Sequence, residues 1–282
     1  MRHATSPSLR RHMLSAPLLC LLLALAACGR GGSEAEGLKA AREQLARGDV
    51  TAAVIELKNV LERNPESGAA RLLLGRALVA QGDAAAAQIE LRKALDGKVP
   101  ESEVLPDMAR ALLAAGEASR VVGEFGSTQL PDAAAQAELK TLVATALLST
   151  GRADEARATL DEALKAKPDH AAALVLKART TAAGGQFDEA LKQLAVVLAA
   201  TPGHEGAGLL KAQVLLHGKR DAEAGLAAYR DLVKAQPRSA LARTELAQLL
   251  LERNQVAEAR AELAELQKVA PRRPETLLLQ AQ

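Results

Sequence analysis

Polar side chains recur through the chain at a nearly constant interval, each directly after an alanine or a glycine. They lie 34 or 35 residues apart and none is acidic. Arginine presents a planar fork of donors that suits carboxylate or sulfate, and glutamine offers a donor and an acceptor that suit amides and hydroxyls. This polar row therefore indicates either a surface for an extended peptide or acidic polysaccharide, or a solvated stripe paired with nearby carboxylates. Its members are Arg42, Arg76, Arg110, Thr145, Arg179, Gln213, Gln248 and Gln282.

A second candidate for chemistry is Cys28, which directly follows the apolar stretch Met13–Ala27. That stretch of fifteen residues is shorter than the roughly 20 residues that a membrane-spanning helix needs. Its length and the arginines before it are typical of a secretory signal peptide.

The segment Leu25-Ala26-Ala27-Cys28 resembles the lipobox of bacterial lipoproteins. The resemblance implies that residues 1–27 are removed as a signal peptide, that the Cys28 thiol carries lipid, and that residues 28–33 form a short linker. Gly29, rather than aspartate, favours the outer membrane over the inner, on the periplasmic face of a Gram-negative envelope. The alternatives are an ordinary secretory signal with a chance cysteine, or an uncleaved anchor.

Composition argues against several function classes. The only other cysteine, Cys20, falls in the predicted signal peptide, so the mature domain has no thiol for a disulfide or for catalysis. The 36 basic and 34 acidic residues nearly balance, which gives no indication of a nucleic-acid partner. His170 and His204 each follow a proline by two residues and are interpreted as helix-start residues. We expect no metal, no cofactor, no small-molecule substrate and no enzyme activity.

Regular punctuation divides residues 34–282 into repeating units. Turn signals beginning at Gly48, Gly82, Gly116, Gly151, Gly185, Gly218 and Asn254 lie 33 to 36 residues apart, and they alternate with prolines that lie 31 to 37 residues apart. Glycine tolerates the left-handed conformation that closes a helix, and proline cannot continue one. The spacing predicts about seven helix pairs and the first helix of an eighth, stacked into an all-α solenoid because one pair cannot bury its own apolar face.

Two rows of small residues sharpen this prediction. The first helices carry a small residue six or seven residues before each turn: Ala41, Gly75, Ala109, Ala144, Ala178, Ala212 and Ala247. The second helices carry Ala53, Ala87, Ala156, Ala190, Gly225 and Ala259, with Val121 in the third unit. A large apolar or aromatic residue follows each of these positions four residues later. We expect the small residues to allow close helix approach and the large ones to fill the space between helix pairs.

This pattern resembles the tetratricopeptide repeat, most clearly in "GRADEARATLDEALKAKP" (Gly151–Pro168) and "GGQFDEALKQLAVVLAATP" (Gly184–Pro202). The resemblance implies a superhelical solenoid of antiparallel helix pairs whose first helices line a concave groove. The polar row would then lie in that groove and bind a protein or peptide.

A narrower resemblance covers Ala41–Glu117 and is carried by "AAVIELKNVL", "ARLLLGRALVAQGD" and "VLPDMARALL". These segments are similar to the tetratricopeptide-repeat lipoproteins (PrsT-type) of the PEP-CTERM/exosortase system. The resemblance implies a membrane-tethered, non-catalytic scaffold of protein sorting and exopolysaccharide production, with proteins or peptides of that export system as partners. The alternatives are another periplasmic assembly lipoprotein, such as a type IV pilus pilotin or an outer-membrane assembly scaffold, and an enzyme that carries the repeats as an appendage.

Overall fold

The computed structural model describes residues 33–271, which form fourteen α-helices and contain no strand. The predicted signal peptide, Cys28, and the segment from Arg272 to Gln282 lie outside these residues. The described helices pair into seven units. The first helices are α1 (Glu34–Ala46), α3 (Gly68–Gln81), α5 (Glu101–Ala114), α7 (Ala133–Ser149), α9 (Ala171–Ala183), α11 (Glu205–Gln213) and α13 (Ala240–Glu252). The second helices are α2 (Val50–Arg63), α4 (Ala84–Asp96), α6 (Ala118–Phe125), α8 (Ala153–Ala166), α10 (Phe187–Ala200), α12 (Ala222–Ala235) and α14 (Val256–Val269).

Local sequence explains where these helices begin. Aspartate or serine precedes many of them and its side chain accepts a hydrogen bond from the backbone amide three residues on, as Asp49 does from Ala52 and Ser67 from Ala70. Such caps satisfy amides that have no partner inside the helix. The first helix has a complete capping box between Ser33 and Glu36.

Glycine closes the turn within five of the seven units, as its spacing predicts. The backbone at Gly48, Gly82, Gly116, Gly151 and Gly185 has a φ between 77° and 90°. The last two units differ, because Arg220 and Asn254 adopt the left-handed conformation there and Gly218 does not. Gly218 instead accommodates the Phe187 ring, since a Cβ atom at this position would lie 2.6 Å from Phe187 Cδ1.

The two predicted rows of small residues are buried between the helices. The alanines of both rows are at most 3% exposed, and Leu57, Leu91, Leu160 and Leu194 are fully buried. At Gly75 the two helices approach so closely that an added Cβ would lie 2.6 Å from Leu91 Cγ. The apolar core runs without interruption from Leu38 in α1 to Ala173 in α9, and smaller clusters continue it through the last units. The predicted all-α repeat solenoid is therefore confirmed for the described residues.

Contacts between helices define the inner side of the solenoid. Consecutive first helices contact one another from α1 to α11, whereas consecutive second helices make no comparable contact within residues 33–271. The first helices therefore lie on the inner, concave side, and we call their shared surface the groove. The series of contacts stops between α11 and α13, where the chain continues α11 as a π-helical segment, Val214–Gly218. No helix in the described part of the chain combines the length and apolar character needed to cross a bilayer.

Candidate functional site

The seven members of the polar row within residues 33–271 all lie on first helices and reach solvent. Arg110 is partly exposed, and the other six are exposed. Each follows a buried small residue of the same helix, so the helical period that buries the small residue turns its neighbour outward. The structure thus places the row along the groove, while its binding role stays a prediction.

Two arginines of the row are engaged with a carboxylate that sequence patterning did not single out. Asp107 in α5 is only 7% exposed. Its Oδ2 accepts from Arg76 Nε of the preceding first helix at 2.5 Å, and its Oδ1 accepts from Arg110 Nη1 at 2.5 Å. A buried carboxylate is costly unless it is paired, and here two guanidinium groups on its solvent side neutralise it.

The pairing continues along the groove into the next two units. Arg110 Nη2 donates to Glu138 Oε1 in α7 at 2.5 Å, and Glu138 Oε2 lies 3.0 Å from Nε2 of His170, the residue that precedes α9. The neighbouring His170 imidazole, and then the Arg110 guanidinium, lower the pKa of Glu138 below its ordinary value although partial burial opposes this. We call the series Arg76–Asp107–Arg110–Glu138 the ion-pair chain. It links three consecutive first helices, and His170 lies beside its last carboxylate.

His170 and His204 occupy the helix starts at which the sequence places them. His170 is the residue before α9, and the Nδ1 atom of His204 accepts from the Ala207 amide at 3.2 Å. No group of three potential metal-ligating side chains occurs among residues 33–271.

Other row members keep their side chains available. Arg42 and Arg179 are exposed and join no ion pair among the described residues. Arg42 lines a cavity of about 320 Å³ together with Arg76, Lys98 and Glu103. Arg76 is held by Asp107, but Arg42 and Lys98 join no ion pair among the described residues and line the cavity with Glu103. This end of the groove therefore suits an acidic group. Thr145, by contrast, donates its hydroxyl to the Thr141 carbonyl of its own helix at 2.9 Å.

A second cavity of about 320 Å³ lies where the first-helix contacts stop. It is lined by Phe187, Gln213, His217, Gly218, Tyr229 and Glu245, among others. Tyr229 is 2% exposed, and its hydroxyl lies 3.5 Å from Glu245 Oε2. Burial, and then the Glu245 and Glu252 carboxylates, raise the pKa of Tyr229 to about 12. We call this cavity the sixth-unit pocket. Gln213 was predicted as a site residue because it belongs to the polar row, but Phe187, Tyr229 and Glu245 were not predicted as site residues.

Family profiles described as tetratricopeptide repeat match residues 44–105, 147–214 and 215–274, which together exceed half of the chain. The chain belongs to the tetratricopeptide repeat family. This confirms the coarser of the two resemblances in the sequence. Proteins of this family are generally scaffolds for protein interactions, and the fold is typically non-catalytic.

The chain is also similar to solved structures, and the first of those named here supports the fold. A chain of the APC/C hetero-tetramer Cut9–Hcn1 matches with a TM-score of 0.60 and 12% identity over 85% of this chain. The present chain spans 47% of that chain's length. A thermophilic tetratricopeptide repeat protein of Thermus thermophilus matches at 18% identity and a TM-score of 0.46, over 78% of this chain and all of its own. PilF of Pseudomonas aeruginosa matches at 18% identity and a TM-score of 0.45, over 88% of this chain and 96% of its own. No curated protein sequence matches the chain significantly.

Proposed function

We propose that this chain is a non-catalytic scaffold whose groove binds an extended segment of a partner protein. The observation that carries the proposal is the polar row, which is accessible along the first helices while the small residues beside it form the core. A solenoid offers such a surface without closing around it. Because the chain has only two phenylalanines, one tyrosine and no tryptophan, affinity comes from many polar contacts rather than from aromatic anchors.

The first units favour an acidic partner segment. The Arg42 cavity brings two cations without an ionic partner among the described residues, Arg42 and Lys98, together with the carboxylate of Glu103. Further along the groove, Arg179 is exposed and has no ionic partner among residues 33–271. In between, the ion-pair chain neutralises its own arginines. Free guanidinium groups at these two places suit carboxylates of an extended peptide, or those of an acidic polysaccharide.

Substitution of the two free arginines tests this role. The full chain is titrated with a fluorescently labelled, glutamate-rich peptide, and binding is followed by anisotropy. The variant Arg42→Gln/Arg179→Gln is compared with Arg92→Gln/Arg260→Gln, which removes two exposed arginines from the second helices α4 and α14. We expect the groove variant to bind about fivefold more weakly, since two solvent-accessible ion pairs contribute roughly 0.5 kcal/mol each. Equal affinity for the two variants would overturn the proposal.

The cellular setting is part of the same proposal. The similarity of Ala41–Glu117 to the lipoproteins of the PEP-CTERM/exosortase system, together with the lipobox-like segment before Cys28, supports a scaffold held by lipid at the periplasmic face, preferably of the outer membrane. A lipid anchor of this kind needs more than one acyl chain for stable attachment.

Intact-mass measurement of membrane-extracted protein tests the anchor, with Cys28→Ser as the control. The expected mass is that of the chain from Cys28 onward with acyl groups, and the control variant lacks those groups. A mass that retains Met1 to Ala27, or an unmodified Cys28, would overturn the lipoprotein assignment and leave the groove proposal intact.

A further inference from the structure

Glu245 and Asp107 occupy the same place in two repeat units but have different surroundings. Each lies three residues before the row member of its first helix, Gln248 in α13 and Arg110 in α5. Asp107 is neutralised by that row member and by the row member of the preceding unit, Arg76. At Glu245 the two corresponding row members, Gln213 and Gln248, are neutral glutamines. Glu245 therefore has a carboxylate at the same place in the repeat as Asp107, but neither of the arginines that pair with Asp107 has an equivalent beside Glu245.

No cation elsewhere in the described chain takes their place. Glu245 forms no ion pair within 4.0 Å among residues 33–271. Its polar neighbour is the Tyr229 hydroxyl at 3.5 Å, which is at the outer limit of hydrogen-bond distance. His217 lines the same pocket without pairing with Glu245. A half-buried carboxylate that is not paired carries a desolvation cost, and an incoming cation would offset that cost.

The walls of the sixth-unit pocket suit the stem of a long side chain. Two of the three aromatic residues of the chain, Phe187 and Tyr229, line it, and Tyr229 is almost fully buried. The pocket stays open because the first-helix contacts stop between α11 and α13 and because the π-helical segment ends at Gly218, against which the Phe187 ring packs. Alkyl stems of lysine and arginine pack on apolar surface while the cation stays polar, and aromatic faces attract that cation.

We propose that the sixth-unit pocket receives one basic side chain, lysine or arginine, of the segment bound in the groove. This inference rests on the proposed function and adds a second feature to the partner: acidic side chains meet Arg42 and Arg179, and a basic side chain meets Glu245. The ammonium or guanidinium group takes the position that Arg76 and Arg110 hold beside Asp107. Gln213 and Gln248 are long enough to line the pocket but carry no competing charge.

Tyr229 provides a direct reporter for this pocket, because it is the only tyrosine and the chain has no tryptophan. The full chain is titrated with two peptides of the same extended serine and alanine sequence, one with a central lysine and the other with norleucine, and Tyr229 emission is followed. We expect the lysine peptide to bind about tenfold more tightly, because a charge-assisted hydrogen bond to a partly desolvated carboxylate contributes roughly 1.5 kcal/mol.

Three variants test whether the preference for the lysine peptide arises at Glu245. Glu245→Gln should remove the difference between the two peptides, whereas Glu62→Gln, an exposed carboxylate of α2, should retain it. Gln213→Arg should also remove the difference, because it restores the cation that Arg76 supplies to Asp107. This variant adds a pairing that the fold already uses, so it separates loss of the pocket from loss of folding.

Equal affinity for the lysine and norleucine peptides, or a preference that survives both Glu245→Gln and Gln213→Arg, would overturn the inference. Failure of the proposed function has a different signature: the glutamate-rich peptide then binds the Arg42→Gln/Arg179→Gln variant as well as the unchanged chain. The failure of the inference and the failure of the proposed function can therefore be distinguished.

Discussion

Replacing Asp107 with asparagine should weaken the fold and strengthen the binding of acidic peptides at the same time. Asp107 is 7% exposed and holds both Arg76 and Arg110 at 2.5 Å. Asparagine has the same shape and keeps one acceptor oxygen, so the change removes charge with little change in packing. Arg76 loses its only anion and becomes available to a partner in the groove, whereas Arg110 keeps its ion pair with Glu138.

The size of the effect follows from the exposure of the two arginines. Their side chains are 42% and 41% exposed, so each ion pair contributes toward the solvent-screened value of about 0.5–1 kcal/mol. Loss of both predicts a free energy of unfolding lower by roughly 1–2 kcal/mol. For an array of this size that corresponds to a melting temperature lower by about 3–6 °C.

Thermal unfolding followed by far-UV circular dichroism measures the first effect, and anisotropy with the glutamate-rich peptide measures the second. The control is Asp231→Asn, which neutralises an exposed aspartate of α12 and should change neither quantity. We expect Asp107→Asn to bind the peptide several-fold more tightly, by roughly the 0.5–1 kcal/mol of the freed Arg76 guanidinium. An unchanged melting temperature together with unchanged peptide affinity would refute the role given to the ion-pair chain.

Three further predictions concern other parts of the structure. The pKa of Tyr229 is raised from 10.0 to about 12, so the stability that the neutral phenol contributes is present below pH 10 and is lost as the pH rises toward 12. Glu245→Gln should lower the pKa of Tyr229, measured by titration of phenolate absorbance. An unchanged pKa would contradict the contact between Tyr229 and Glu245. Gly75→Val should destabilise the second unit by about 1–3 kcal/mol, because the added side chain overpacks against Leu91. Urea unfolding measures this loss. An unchanged free energy of unfolding would contradict the close approach of the two helices at Gly75. Because the pKa of Glu138 is lowered, its ionised carboxylate contributes stability that is present above the ordinary pKa of glutamate and is lost as the pH falls. Glu138→Gln should therefore flatten the acid limb of the plot of unfolding free energy against pH. An identical plot for the variant would show that the pairing of Glu138 contributes nothing.

The repeat spacing was sufficient to predict the fold, because its signals are local. Alanine or glycine at Ala41, Gly75 and their equivalents allows two helices to approach, and a glycine with a positive φ closes the turn within most units. These constraints act within one helix pair and recur, so seven similar units reinforce one interpretation. The irregular sixth unit is also visible in the sequence, because the turn spacings before and after Gly218 are 33 and 36 residues, and the π-helical segment ends at that glycine.

The candidate site was less accessible from sequence because its pairings join different units. Asp107 contacts Arg76 across 31 residues, and Glu138 contacts Arg110 across 28, whereas patterning within a helix detects only neighbours three or four residues apart. Asp107 is a buried carboxylate, and the sequence of α5 alone does not distinguish it from an exposed one. The distinct position of Glu245 becomes visible only when it is compared with Asp107 at the same place in the repeat.

Site-specific photo-crosslinking, in the cells that produce the full chain, shows whether the groove is the binding surface. A photoreactive amino acid is placed at position 145 or 179 in the groove, or at position 92 on a second helix. We expect the same partner to be crosslinked from both groove positions and not from position 92. A partner crosslinked from position 92 and from neither groove position would contradict this expectation.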